Sequence, residues 1–150
     1  MIQRIQTLYL FFVTVLMVGI VVFPVMEVIN NEQSHTINLL ALGAYSYVPG
    51  ITLPALAILI AALAFTNIFL YTKRSLQIQI CCWILALILL LYGFIFYSYV
   101  MLGEAMGDNM IVFPEIAVAF PLVGLFLVGM SILRIRKDER LVSFSGLRSR

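Results

Sequence analysis

A chain of 150 residues that is 63% hydrophobic and 11% charged allows one domain. Its apolar share lies far above the roughly 45–50% of soluble domains, which excludes a water-soluble globule. The net charge of +2 belongs to the C-terminal segment, so nucleic acid is not an expected partner.

The first apolar run, about residues 5–26, holds 22 residues without a charge. At about 1.5 Å per residue it spans roughly 33 Å, enough for a hydrocarbon core of about 30 Å. Arg4 before an apolar run resembles a secretory signal, but Val22-Phe23-Pro24-Val25-Met26-Glu27 offers no small-x-small cleavage site. An uncleaved first span is therefore expected.

Next comes the longest non-spanning stretch, residues 27–51. Its polar half, Asn30 to His35, reads as an exposed turn; its apolar half, through Leu39 to Leu42, is too short to cross a bilayer. That half packs over the bundle as a short strand or helix, or lies on the interface.

The second span, about residues 52–72, has Pro49 and Pro54 around its start, where a missing N–H costs nothing. Lys73-Arg74 ends it. The third, about residues 79–102, lies within 29 charge-free residues from Ser75 to Gly103. Only six to eight residues around Lys73 join these two spans, which requires an antiparallel pair. Turn formers Gly103, Gly107, Asp108 and Asn109 fill the second outer loop, residues 103–114. The fourth span, about residues 115–133, is bounded by Glu115 and Arg134, and Pro121 inside it predicts a kink. A tail over residues 134–150 follows, whose mixed charges can continue the helix.

All nine Lys and Arg fall on one side of these runs: Arg4, Lys73, Arg74, Arg134, Arg136, Lys137, Arg140, Arg148 and Arg150. The two outer loops carry Glu27, Glu32, Glu104, Asp108 and Glu115 and no Lys or Arg. Basic flanks are retained in the cytoplasm, so four spans with both termini inside satisfy every one of them. The predicted fold is an all-α polytopic membrane protein, four transmembrane helices in an up-down-up-down bundle.

Chemistry is sparse. No acidic, basic or histidine residue falls inside a predicted span core, where such groups usually mark function. Cys81 and Cys82 are adjacent on the reducing face and read as free thiols. His35 is the only histidine, too few for a haem axial pair or a three-ligand catalytic zinc, so no catalytic residue, cofactor or metal is expected. Glu115 suits the dipole of a helix N-terminus, or a cation at a cavity. Asn67 suits an interhelical hydrogen bond, or a substrate contact. Arg136, Lys137, Asp138 and Glu139 suit a stop signal, or docking of a partner. Tyr45, Tyr47, Tyr71, Trp83, Tyr97 and Tyr99 read as interfacial anchors.

The opening Met1-Ile2-Gln3-Arg4-Ile5-Gln6-Thr7-Leu8-Tyr9 and the closing Ile135-Arg136-Lys137-Asp138-Glu139-Arg140-Leu141-Val142 resemble the ends of an uncharacterised four-span bacterial inner-membrane family, domain of unknown function 4293. Arg74-Ser75-Leu76-Gln77-Ile78 and Ala119-Phe120-Pro121 are similar too, so the resemblance covers nearly the whole chain. It implies four spans, an inner-membrane location and no known cofactor, and it assigns no activity. Family tails carry an acidic-basic pair after a serine; Ser143-Phe144-Ser145-Gly146-Leu147-Arg148 lacks the acid. Gln3, Arg4 and Gln6 exceed what orientation needs at a cytoplasmic entrance. The expected function is a non-enzymatic accessory or structural subunit of a larger membrane complex, its partners the lipid bilayer and other membrane subunits. The alternatives are a small oligomeric transporter or channel, and an enzyme acting on lipid.

Overall fold

The structure, a computed structural model, describes residues 3–30, 33–45, 51–70, 73–106 and 110–147. Four long helices, α1 (Gln3–Val22), α3 (Thr52–Phe69), α4 (Arg74–Met106) and α5 (Ala119–Leu147), make the bundle. Around its ring α1 packs on α3 and α5, and α4 packs on the same two. A short helix, α2 (Leu39–Tyr45), and three strands, β1 (Pro24–Asn30), β2 (Gln33–Asn38) and β3 (Met110–Pro114), cover one end.

Apart from Pro54, Ala61 and Ile132, the buried positions of the four long helices repeat with alternating steps of three and four. They are Gln6, Leu10, Val13, Met17 and Ile20 on α1, and Leu53, Ala57, Ile60, Ala64 and Asn67 on α3. On α4 they are Gln77, Cys81, Ile84, Ile88, Leu91, Ile95, Ser98 and Leu102; on α5, Pro121, Gly124, Val128, Ser131 and Ile135. A mean step of 3.5 keeps one stripe against a neighbour when helices supercoil left-handedly, the geometry of shallow-angle bundles. Side-chain contacts give the directions. Asn67 near the end of α3 meets Gln77 and Cys81 near the start of α4. Phe120 at the start of α5 stands edge-on to Phe23, just past α1, with ring centres 6.1 Å apart. Neighbours therefore run antiparallel.

Two glycines allow close approach. A Cβ on Gly124 would stand 3.0 Å from Met17 Cε, and one on Gly19 would stand 3.1 Å from Phe120 Cε2.

Three helices are long and apolar enough to cross a membrane: Thr52–Phe69, Ser75–Glu104 and Ile116–Lys137. The described apolar part of α1, Gln6–Val22, is shorter.

The all-α expectation needs correction, because residues assigned to loops pair as an antiparallel sheet of order β2-β1-β3. Pro24 forces the change. It disfavours helical backbone at Phe23, so α1 stops at Val22 and the residues up to Met26, read as span, begin a strand. Phe23 N–H still donates to Gly19 O at 2.9 Å, the last helical bond. Glu27 faces Thr36 on one side and Phe113 on the other. A register shift between Pro24 and Met26 makes Val25 the extra residue of a bulge. Val25 and Met26 are consequently both buried, and the Val25 carbonyl accepts Glu115 N–H at 2.9 Å. The apolar half of the first outer loop, left open between strand and helix, is helix α2.

Pro121 falls in the first turn of α5, where its absent N–H would have had no helical partner, so its position gives no reason for a kink. At the other end α5 continues through residues 134–147 as helix, taking in most of the predicted tail.

Candidate functional site

Polar residues occupy the innermost described stripe positions on α1, α3 and α4 and the next-to-innermost on α5. Gln6 opens the stripe of α1, Asn67 closes that of α3, Gln77 opens that of α4, and Ser131 lies one step before the last described position of α5. All four are buried, Asn67 and Ser131 completely. Antiparallel packing brings these helix ends to the same end of the bundle, so they form one polar layer beneath an apolar core.

Asn67 is its hinge-pin. Its Nδ2 donates to the Gln77 carbonyl at 3.3 Å and to Cys81 Sγ at 3.1 Å. One α3 side chain thus uses both amide hydrogens on α4. This is the interhelical use foreseen for Asn67, with the partners now identified. The Ser131 hydroxyl of α5 borders the same thiol. Cys81 is buried and Cys82 exposed, and both are free. Asn67 Oδ1 has no hydrogen-bond partner among the described residues, and Ser131 Oγ has none there beyond the Cys81 thiol it borders. Such atoms are uncommon in folded proteins and each calls for an explanation.

The connection from α3 to α4 is held by backbone bonds, which fix the depth of Asn67 against α4. Leu70 N–H donates to Asn67 O at 3.3 Å, Lys73 N–H to Leu70 O at 3.0 Å, and Gln77 N–H to Lys73 O at 3.1 Å.

The other predicted residues scatter. Glu115 lies at the opposite end of the bundle, where it caps the 3-10 turn Ile116–Val118, its Oε2 accepting Ile116 N–H at 3.4 Å. The dipole reading of this carboxylate therefore has a matching geometry, one turn earlier than α5 itself. Arg136 and Lys137 are exposed on α5. Gln3, Arg4, Asp138 and Glu139 lie on helical backbone, with side chains outside the described residues. Glu32, Tyr47, Tyr71, Asp108, Arg148 and Arg150 are outside them altogether. Among the anchors Trp83 and Tyr97 are exposed, and Tyr99 is half-buried.

The lipid-enzyme alternative needs acids and His35 together. Glu27 pairs with Thr36 while Val28 pairs with His35, so alternation sends Glu27 and His35 to opposite faces of the sheet. Among the described residues there is no group of three or more His, Cys, Asp or Glu that could hold a metal.

Two hollows are apolar. One of about 290 Å³ lies between α4 and the sheet, lined by Met26, Tyr92, Ile95, Phe96, Tyr99, Pro114 and Val118. The other, about 350 Å³, runs along α5 over Gly129. Neither contains a predicted site residue.

Gln77 and Ser131 were missed in the sequence. The signal was the step of three and four, which carries Gln77 into Cys81, Ile84 and Ile88, and Ser131 into Val128 and Ile135.

Comparison with curated proteins and with solved structures gave no match. A family model described as a domain of unknown function, DUF4293, matches residues 2–145, and the chain belongs to that family.

Proposed function

We propose that this protein is a four-span, non-enzymatic subunit of a larger assembly in the bacterial inner membrane, with both termini in the cytoplasm. Helix α1 serves as the fourth span, completing an up-down-up-down transmembrane bundle and a single domain. The observation that carries the reading is the polarity of the folded bundle. Lys73, Arg134, Arg136 and Lys137 belong to the end where α1 and α4 start, and Glu27, Glu104 and Glu115 to the opposite end. Charge asymmetry of this kind orients a membrane protein. Large apolar side chains cover the outside, among them Phe11, Trp83, Phe96 and Phe126, as lipid contact requires.

The subunit role is supported by helix length. Helix α5, with 29 residues, extends about 43 Å and so outreaches a core of about 30 Å. Its inner part carries Arg136, Lys137, Asp138 and Glu139 away from the bilayer, where a partner can meet them. Photo-crosslinking from position 137 in whole membranes should trap a second, heterologous membrane protein in a defined adduct. Recovery of nothing but the chain itself, repeated from position 136, would remove the reading.

A small transporter is the second reading, favoured by one observation: Asn67 Oδ1 and Ser131 Oγ face the bundle interior, and among the described residues they have no partner beyond the Cys81 thiol that Ser131 borders. It requires labelling by aqueous thiol reagents at cysteines placed along the α5 stripe in a Cys-free background.

A further inference from the structure

We propose that the polar layer is a binding site for a small neutral hydrogen-bonding ligand, a water molecule held between Asn67 of α3 and Ser131 of α5 beside the Cys81 thiol. The inference rests on the packing of three helices and does not require the subunit reading.

Hydrogen-bond inventory identifies the ligand class. Asn67 has two amide hydrogens, and both are committed, to the Gln77 carbonyl and to Cys81 Sγ. Its oxygen therefore seeks a donor, and it is completely buried with none among the described residues. Ser131 can donate one hydrogen bond and accept two. A hydroxyl within a helix commonly satisfies itself on a carbonyl one turn back. Thr14 does so on Leu10 O at 3.0 Å, and Thr66 on Leu63 O at 3.1 Å. Ser131 does not, although it lies in the same kind of helix, so its hydroxyl remains available to something other than its own backbone.

The two groups come from different helices and border one thiol, Cys81, which Asn67 Nδ2 reaches at 3.1 Å. A ligand here must donate to an amide oxygen and also donate to, or accept from, a hydroxyl. A neutral ligand suits it, because among the described residues no acidic or basic side chain is buried in this layer. Water meets these demands with two to four partners, the usual number for a buried water. A cation would need compensating charge or several more oxygens in a tight shell. Ser98, on α4 toward the other end, also has a buried hydroxyl without a partner among the described residues, and it provides the matched control.

The test is oxygen-17 relaxation dispersion of water on the full chain in detergent micelles, which counts long-lived internal waters and cannot be mimicked by exchanging hydroxyl protons. The wild type should show a dispersion. Asn67→Leu combined with Ser131→Ala should lower its amplitude by one water, while Ser98→Ala leaves it unchanged. Thermal melts followed by circular dichroism establish that each variant is folded, and Ser131→Ala alone supplies a milder version should the pair unfold. Two results would overturn the proposal: equal amplitude in folded wild type and variants, or the same loss from Ser98→Ala as from the layer substitutions.

Discussion

The two ends of this bundle solve the same problem in different currencies of hydrogen bonding. At the end bearing the sheet, backbone does the joining: β1 pairs with β2 and β3 at once, and Glu115 N–H reaches back to Val25 O. At the opposite end a side chain, Asn67 of α3, reaches across to α4. A backbone ladder spreads its bonds over many residues and survives most changes of side chain that respect the buried face. A side-chain node depends on the identity of one residue, yet contributes little in total, because interhelical polar contacts average about 0.6 kcal/mol in membrane bundles. The sheet end should therefore fail through packing, and the node end through specificity.

The sharpest way to break this contrast is Val28→Asp. Val28 is buried under the central strand, and a carboxylate there has no counter-charge, so a loss of about 3–5 kcal/mol is expected. Thermal melting in detergent should show it as failure to hold the folded state, whereas Ile29→Thr, on the outward face, should cost below about 0.5 kcal/mol. Equal effects from the two would mean that the sheet does not bury one face on the helices.

Second comes the joint between α1 and α5. Gly124→Val adds atoms where even a Cβ would lie 3.0 Å from Met17 Cε, and overpacking of this kind costs about 1–3 kcal/mol. Gly129→Val, where an added Cβ meets nothing within 4 Å, should leave the melting temperature of the solubilised chain unchanged. Third, Asn67→Leu should lower stability by about 0.6 kcal/mol and at most about 1.7 kcal/mol. Its clearer mark should be altered reactivity of Cys81 toward a small thiol reagent, measured with Cys82 replaced by Ser. The smallest effect belongs to Glu115→Gln, which weakens a cap at 3.4 Å and should cost about 0.3–1 kcal/mol by equilibrium unfolding.

How much of this was readable beforehand differs between the same two ends. The long helices were visible as charge-free runs, although α4 starts at Arg74, about five residues before the third run was expected to begin, because Arg74 and the polar residues after it continue the helix beyond the apolar stretch. The sheet was not. Its strands are short, and Met110-Ile111-Val112-Phe113 sits after Gly107-Asp108-Asn109, whose turn chemistry drew the whole stretch into a loop. The pairing of Glu27 with Phe113 crosses most of the chain, and no local pattern announces it. Of the polar layer, Gln6 stood out beside Gln3 and Arg4 at the entrance of a span, and Asn67 as an amide within one. Gln77 and Ser131 did not, because a helix apolar on every side hides which stripe faces its neighbours. The step of three and four becomes informative only once burial is known.

The bulge at Val25 has a mechanical consequence. Its carbonyl holds Glu115, Phe23 meets Phe120 edge to face, and Gly19 lets that ring press close, so the first and last helices are riveted together at the sheet. Tongs joined at the top part only at the tips. Any splaying between α1 and α5 is thereby confined to the far end, where Gln6 and Ser131 stand and where the jaws would open onto the polar layer.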